Sequence, residues 1–373
     1  MSYYEIAKDL VQQLYDKPEL GGVEYEAQAL YREILQDQGF DYEEGLAMET
    51  DFVASYGDAT TGPVISLCSE YDALPDIGHG CAHNLFGGIS LLAALELKAV
   101  VDEHGGQIRL IGTPGEENLG GKIHLVDQGA FDDVDASLML HPSTKNGLGS
   151  ATQALYPLKF HFHGKTAHGC KPQEGASALD AAVLTYTSIQ FQRQFMEKGT
   201  HIHGVMKDGG SAANVIPDYA SLEYYFRATT METAKAMADE ATKRAEAAAT
   251  SCGCTVELEV YECPYGETKF NEPLSNMLKE AFESLGRTEI EPIDYVPSGS
   301  SDVGAVSFKC PTVHGSIKIA DANVTGHSRE MAAATISPEG NKALREGADA
   351  LVQIASTLLT DPAKLAECKA AME

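Results

Sequence analysis

Residues 70–88 read EYDALPDIGHGCAHNLFGG, a glycine-punctuated loop between a predicted strand, PVISLCS at 63–69, and a predicted helix that begins near Asn84. Cys81 and His83 lie one residue apart in this loop. A thiolate and an imidazole both suit zinc or a similar transition metal as ligands. A cysteine and a histidine near a helix start are nevertheless more often ordinary packing residues, so the pair alone only raises the question of a metal site.

The segments around this loop alternate between strand and helix patterns. Short apolar runs that end in polar residues predict strands at FVASYG (52–57), PVISLCS (63–69), QIRLIG (107–112) and ASLMLHP (136–142). Helical stretches at 84–103 and 120–131 lie between them. This alternation predicts an α/β fold, a mostly parallel sheet with helices on both faces and with its chemistry at the carboxyl ends of the strands.

The pattern changes between about residues 155 and 264. Strand patterns at 155–169, around His201 and His203, at 219–228 and at 254–262 are interrupted by helical patterns at 175–196 and 231–250. The resulting β-α-β-β-α-β order predicts a separate four-stranded α+β insertion. We therefore expect a discontinuous main domain, 1–154 and 265–373, interrupted by an inserted domain at 155–264.

Further metal-ligand residue types follow other predicted strands. Glu116 and Glu117 come after QIRLIG, His141 ends an apolar strand, and His327 lies in a polar loop far along the chain. Adjacent glutamates are usually a solvated helix start, and a histidine can simply end a sheet. The joint placement at strand ends is what favours a metal site.

Composition narrows the range of partners and settings. The chain has 373 residues and a formal charge of −28, which disfavours nucleic acid and anionic membrane surfaces as partners. Its first 20 residues resemble an amphipathic helix and not a signal peptide, and no long apolar run suggests a membrane span. Eight cysteines without a framework spacing fit a reducing compartment, so we expect a cytoplasmic protein.

Seven segments in order carry a family resemblance: YDALPDIGHGCAHN, GTPGEE, LHP, GKTAHGCKPQEGASALDAA, ANVIPDYASLEYYFRA, SGSSDVGAVS and GHSREM. Together they resemble the metal-dependent aminoacylase and hippurate hydrolase amidohydrolases, and within these the aminobenzoyl-glutamate hydrolase and dipeptidase branch. The resemblance runs from about residue 18 to residue 331. It implies a zinc-peptidase-like catalytic domain that carries two metal ions, with a ferredoxin-like insertion that forms a homodimer.

The resemblance also implies roles for individual residues. The implied ligands of the two divalent ions, zinc or manganese with cobalt as a further option, are Cys81, His83, Glu117, His141 and His327. Cys81 would bridge the ions. The implied general base and acid is Glu116, and the implied oxyanion donor is His168, reaching into the partner subunit's site; Asn214 and Arg227 would hold the substrate carboxylate. A strand salt bridge is the simpler interpretation of Arg227.

The implied reaction is hydrolysis of an amide bond in a small molecule: an N-acyl amino acid, an aminobenzoyl-glutamate-like conjugate or a dipeptide. Two residues depart from the family pattern: one lies in the loop at 70–83, which we call the metal loop, and the other directly follows it. Ala82 replaces a common glycine, which should be tolerated if its backbone is not left-handed, and Asn84 replaces a common aspartate. Neighbouring His79 and Asp72 are expected to support the loop without binding metal.

Two other functions remain open at this point. A non-catalytic binding subunit for amino-acid conjugates could share this fold, although retention of Glu116 and of the whole ligand set argues against it. A redox role for Cys81 is a third option, weakened because no resolving cysteine lies nearby in the sequence.

Overall fold

The computed structural model describes residues 1–297 and 299–372, and it forms two compact units. One unit joins Met1–Ala151 to the part of the chain from Thr268 onward, and the other is Thr152–Glu267. The boundaries predicted from the sequence, 154/155 and 264/265, lie just inside the second unit. Ser298, the first residue of the SGSSDVGAVS segment, lies outside the described residues.

The elements follow in chain order. Residues 1–151 contain α1 (Tyr3–Asp16), α2 (Tyr25–Asp37), β1 (Asp41–Glu44), β2 (Phe52–Asp58), β3 (Val64–Ser69), α3 (His83–His104), β4 (Gly106–Gly112), α4 (Gly121–Asp127), β5 (Ala136–Ser143) and β6 (Asn146–Gly147). Residues 152–267 contain β7 (Ala154–His163), β8 (Ala167–His168), α5 (Ala178–Gln192), β9 (His201–Asp208), β10 (Val215–Ile216), β11 (Tyr219–Ala228), α6 (Met231–Ser251) and β12 (Thr255–Glu259). The remainder contains α7 (Glu272–Ser284), β13 (Ile290–Glu291), α8 (Val303–Lys309), β14 (Thr312–Lys318), α9 (Arg329–Thr335), α10 (Pro338–Thr360) and α11 (Pro362–Ala370).

The larger unit is built on an eight-stranded sheet in the order β1-β2-β4-β3-β5-β14-β6-β13. Its central strands β4, β3, β5 and β14 run parallel, whereas β1 and β2 pair antiparallel at one edge. All six residues of β3 are buried, as expected for a central strand covered on both faces. Ile65 and Leu67 pack in the main core, and the alternate residues Val64 and Cys68 pack in a second core on the other face.

This arrangement confirms the predicted α/β fold with a mostly parallel sheet and helices on both faces. Helices α1, α3 and α10 supply the main core, and α4 and α8 supply the second one. The carboxyl ends of β3, β4 and β5 lie side by side because neighbouring parallel strands share a direction. The loops that follow these strands therefore converge on one region.

Helix α3 differs from the sequence expectation that no run of the chain suggests a membrane span. By length and composition this helix could cross a membrane. In the structure 78% of its most apolar stretch is buried among the protein's own helices and strands. The packing of α3 against α1, α10 and the sheet accounts for its apolar composition.

The inserted unit is a four-stranded antiparallel sheet in the order β12-β7-β11-β9, with α5 and α6 packed on one face. Its main elements follow the β-α-β-β-α-β order, and the strand order, fourth-first-third-second, is ferredoxin-like. Two short strands, β8 and β10, pair with each other. The strand predicted at 155–169 is divided into β7 and β8, and β10 was not predicted.

Candidate metal centre

The candidate ligands lie on the loops that follow the central strands. Cys81 and His83 end the long loop after β3, and Glu117 lies in the loop after β4. His141 lies near the end of β5, and His327 shortly precedes α9. These residues are spread over more than 240 positions of the chain, and the parallel sheet brings them together.

Cys81 lies at the centre of the cluster. Its Sγ is 3.7 Å from His141 Nε2. Donor atoms within 4.8 Å of one another form one group from Cys81, His83 and His141, and a second from Cys81, Glu117 and His327. The thiol is thus common to two sets of three donors, which is the arrangement that a bridging ligand requires.

Buried His83 and half-buried His141 are held by their Nδ1 atoms. His141 Nδ1 lies 2.7 Å from the Pro142 carbonyl oxygen, and His83 Nδ1 lies 2.9 Å from Asp72 Oδ1 and 3.0 Å from the Asp72 carbonyl oxygen. An Nδ1–H that donates to an oxygen leaves Nε2 as the ligand atom. Asp72 therefore orients His83, in line with the supporting role expected for it.

Two polar atoms in the cluster support a bound cation. His83 Nε2 and Glu117 Oε1 are buried and form no hydrogen bond of acceptable geometry in the described part of the chain, although acidic or basic groups lie near them. Buried polar atoms without partners are rare in folded proteins. Thiolate, imidazole and carboxylate donors at these spacings fit a divalent transition-metal ion.

Electrostatics favour the ligand form of the thiol. Burial alone would raise the pKa of Cys81, but the charge of His83 and hydrogen bonds from His141 and His327 hold it well below its ordinary value. The adjacent Cys81 and Glu117 side chains raise the pKa of His327 to about 10. These contacts favour the thiolate form of Cys81, which is the form that binds metal.

The adjacent glutamates have different surroundings. Glu117 lies 3.3 Å from His327 Nε2, and its backbone N–H donates to Asp72 Oδ2 at 3.2 Å. Glu116 accepts a hydrogen bond from Ser301 Oγ at 2.7 Å. Burial, with the charges of nearby carboxylates, raises the pKa of Glu116 well above its ordinary value, which suits a group that must take up a proton. The geometry alone leaves a ligand role open for Glu116, because it also forms a donor group with His83 and Glu117.

A buried ionic cluster beside the site was not predicted from the sequence. Lys122 Nζ lies 2.6 Å from Glu70 Oε1 and 2.7 Å from Asp302 Oδ1, and all three side chains are almost completely buried. We call these three residues the Lys122 cluster. The other carboxylate oxygen of Glu70, Oε2, lies 3.2 Å from His83 Nε2. The one sequence signal for the cluster was the position of Glu70, two residues before Asp72 in the metal loop.

His314 is a second residue near the site that was not predicted. It lies on β14 with its ring 6.0 Å from that of His141, centroid to centroid, in an edge-to-face arrangement. Burial and the neighbouring His141 lower its pKa to about 4, so its ring is neutral. Its only sequence signal was a histidine in the apolar strand TVHGSIK.

The two departures from the family pattern have structural consequences. Ala82 is buried with φ at +65°, so the condition set for a tolerated replacement of glycine, a backbone outside the left-handed region, is not met. Holding an alanine in this left-handed conformation costs about 1–2 kcal/mol of folding free energy, a cost that glycine avoids. The turn is needed because it begins α3 and separates Cys81 from His83. Asn84 donates to Thr335 Oγ1 at 2.9 Å and to the Val11 carbonyl, so it links α3 to α9 and α1.

Residues 19–24 contact both the loop after β3 and the loop that carries the two glutamates. The Glu19 carbonyl accepts from Ala73 N at 2.8 Å, beside Asp72. A Cβ on Gly21 would lie 2.8 Å from Gly115 Cα, so only glycine permits this approach. Buried Glu24 accepts from Gly115 N at 2.9 Å and from Thr50 Oγ1 at 2.7 Å.

Glu24 gives a prediction for the pH dependence of stability. Burial raises its pKa from 4.5 to about 7, so the folded chain holds a proton that the unfolded chain releases between these values. Its contribution to stability therefore falls as pH rises through this window, by roughly 3 kcal/mol at 1.36 kcal/mol per pKa unit. Urea unfolding at several pH values should show that the free energy of unfolding of Glu24→Gln rises relative to that of the natural chain between pH 5 and 7. Above pH 7 the difference between the two proteins should stay constant. Parallel curves throughout would contradict the prediction.

His168, Asn214 and Arg227 lie in the inserted unit. His168 is exposed on β8, opposite β10, and Gly169 N donates to the Asn214 carbonyl at 2.8 Å. Arg227 lies on β11, an interior strand, where its guanidinium contacts His203 and the Tyr225 ring. The structure thus brings His168 and Asn214 together and places Arg227 on the four-stranded sheet. The strand salt bridge considered for Arg227 stays a prediction.

Comparison with known proteins supplies the family. Residues 64–357 match the family described as Peptidase family M20/M25/M40. The chain is 36% identical over 309 residues to a Xaa-Arg dipeptidase of Mus musculus, covering 81% of this chain and 71% of the relative. It is 32% identical over 304 residues to a p-aminobenzoyl-glutamate hydrolase subunit of Escherichia coli, covering 75% of this chain and 63% of the relative.

A solved structure agrees at the level of the fold. The aminobenzoyl-glutamate utilization protein of Klebsiella pneumoniae superposes with a TM-score of 0.71 at 17% identity, covering 96% of this chain and 97% of that one. The family match spans most of the chain, and the resemblance found in the seven segments is confirmed. The protein is a hydrolase that belongs to peptidase family M20/M25/M40.

Proposed function

We propose that the protein is an amidohydrolase that uses two divalent metal ions to cleave the amide bond of a small substrate ending in a carboxylate. The observation that carries this proposal is the position of the Cys81 thiol, common to two donor groups. His83 and His141 would complete one site with it, and Glu117 and His327 the other. The mixed donors suit zinc, manganese or cobalt.

When bound, such ions lower the pKa of a water molecule and polarise a carbonyl group. Glu116 takes the proton of the attacking water and passes it to the departing nitrogen, because an amide nitrogen leaves poorly unless it is protonated. The raised pKa of Glu116 supports this double role, since it makes the carboxylate a stronger proton acceptor.

His168 is the proposed donor to the oxyanion. Its Nδ1 accepts a hydrogen bond from Cys170 N at 3.1 Å, so in the neutral ring the proton is on Nε2. An Nε2–H can donate to a developing negative charge. Asn214 and Arg227 are the proposed contacts of the substrate carboxylate, for which a guanidinium offers bidentate geometry.

The substrate class rests on the relatives. One is named a Xaa-Arg dipeptidase and another a p-aminobenzoyl-glutamate hydrolase subunit, and both names describe an amide to an amino acid with a free carboxylate. We propose that dipeptides, N-acyl amino acids and aminobenzoyl-glutamate-like conjugates are the substrates to test. The choice among them depends on loop contacts that fold similarity does not fix.

The test is a panel of such amides incubated with chelator-treated protein to which zinc, manganese or cobalt is added back. We expect metal-dependent release of the amino acid from at least one member of the panel. Binding of the conjugates without turnover under all three metals would favour the alternative, a non-catalytic binding subunit. The retained Glu116 and complete donor set argue for turnover.

We also propose that the inserted unit forms a homodimer. Its helix α5 exposes apolar side chains over 40–65% of their surface, at Val183, Leu184, Tyr186 and Phe191. The edge strand β9 adds exposed Val205 and Met206. An exposed apolar helix face and an open strand edge are both typical of surfaces covered by a second copy. We further propose a cytoplasmic location, which the eight free cysteines support.

The dimer proposal predicts complementation between two inactive variants. If His168 serves the partner's site, a dimer of one His168→Ala chain and one Glu116→Ala chain contains one complete site. Equal mixing with free exchange should then restore about a quarter of natural activity, because half of the dimers are mixed and each has one working site of two. Activity assays, with exchange followed by differently tagged chains, check this. No recovery despite confirmed exchange would mean that each chain completes its own site.

A further inference from the structure

Ser301 makes a direct contact with the proposed general base. Its Oγ donates to Glu116 Oε1 at 2.7 Å, and the same oxygen accepts a longer hydrogen bond from Val303 N at 3.4 Å. A hydroxyl that accepts from a backbone N–H has its proton free for a different acceptor. This arrangement points the Ser301 proton at the Glu116 carboxylate.

The next residue in the chain anchors Ser301. Asp302 is fully buried, and its carboxylate binds Lys122 twice, at 2.7 Å to Nζ and at 2.9 Å to the backbone N–H. Lys122 in turn binds Glu70, which reaches to His83. The nearby carboxylates keep the pKa of Lys122 well above its ordinary value despite burial, so the ammonium group persists. The Lys122 cluster thus fixes the backbone at Asp302, and with it the position of the neighbouring Ser301 side chain.

We propose that Ser301 is a positioning residue that sets the orientation of the Glu116 carboxylate for proton transfer, and that the Lys122 cluster fixes Ser301 relative to the metal ligands. This inference rests on the proposed function of Glu116. Proton transfer depends steeply on geometry, and a displacement of about 1 Å can cost about 10²-fold in rate. A serine that donates to one carboxylate oxygen restricts the rotation of the whole group.

A purely structural role makes a different prediction. Ser301 could merely help to begin the seven-residue helix α8, through its bond with Val303 N. Loss of that bond would lower the thermal stability and leave turnover unchanged. Ser337 provides a matched control, since its Oγ begins α10 by accepting from Gly340 N at 3.1 Å.

The experiment compares Ser301→Ala, Ser301→Thr and the control Ser337→Ala. For Ser301→Ala we expect kcat to fall about 10- to 100-fold, with KM, metal content and melting temperature close to natural values. Ser301→Thr retains the hydroxyl and should recover most of kcat, and Ser337→Ala should change only stability. A natural kcat in Ser301→Ala, or a loss that Thr does not recover, would overturn the proposal.

A crystal structure of Ser301→Ala separates failure of this inference from failure of the proposed function. We expect the Glu116 carboxylate to rotate or to occupy more than one orientation, whatever the activity. If the natural protein hydrolyses no amide but Glu116 moves as expected, the proposed function fails and the positioning contact stands. If Glu116 keeps its orientation without the Ser301 hydroxyl, the positioning inference is wrong.

Discussion

Glu116→Gln is expected to lower turnover by about 10⁴-fold or more while the protein keeps its metal and its substrate affinity. Glutamine preserves the size of the side chain and its acceptor for the Ser301 hydroxyl, but it cannot take a proton from water. General acid-base catalysis contributes about 10²–10⁴-fold, and one group that performs both proton transfers belongs at the upper end. A 10⁴-fold loss corresponds to about 5.4 kcal/mol in the activation free energy.

Glu117→Gln serves as the comparison for that result. Glu117 lies beside His327 and within the Cys81 donor group, so its replacement removes an anionic ligand. Metal occupancy should fall, and activity should partly return with excess metal. Metal analysis and single-substrate kinetics on both variants distinguish the roles. A Glu116→Gln protein that loses its metal, beside a Glu117→Gln protein that stays loaded but inert, would show that the two roles are reversed.

Cys81→Ala is expected to remove most of the affinity for both metal ions, and activity with it. A thiolate common to two donor groups serves both ions, so its loss affects them together, whereas loss of His141 or His327 would affect one more than the other. The measurement is metal content after dialysis against a weak chelator. Retention of two tightly bound ions by Cys81→Ala would contradict the bridging role.

Cys68→Ala is the matched control for that experiment. Cys68 is buried on β3, its thiol lies 3.7 Å from Ser137 Oγ, and it belongs to none of the described donor groups. Burial raises the pKa of Cys68 to about 12, so it is a neutral packing residue. This variant should keep its metal and activity, with a modest loss of stability from the small cavity.

Much of the fold was predictable because its signals are local. The strands β3, β4 and β5 each appear as a short apolar run that ends in polar residues, and the inserted unit shows a distinct order of strands and helices. Parallel strands place their carboxyl ends together, which is why Cys81, Glu117 and His141 could be grouped from the sequence alone.

The Lys122 cluster could not be predicted in the same way. Lys122 and Asp302 are 180 positions apart, and each alone has the pattern of a surface residue at a helix start. Buried charges become visible only when their partners are known. The left-handed turn at Ala82 was equally hidden, since alanine is not a residue that marks such a conformation.

The contact between Ser301 and Glu116 belongs to the same class of long-range information. These residues are 185 positions apart, and Ser301 lies in a serine- and glycine-rich segment that resembles an ordinary loop. The family resemblance included that segment but assigned no role to the serine. The ligand set was therefore readable from motifs, whereas the residues that orient it required the tertiary structure.

The most direct test of the central claim is the rate of amide hydrolysis by chelator-treated protein as metal is added back, with the bound metal measured at each point. Metal-free protein should not hydrolyse the amide. The rate should rise with added zinc, manganese or cobalt and reach its plateau at about two bound ions per chain, because the Cys81 thiolate joins two donor groups. An undiminished rate in metal-free protein, or a plateau at a single bound ion, would contradict the account.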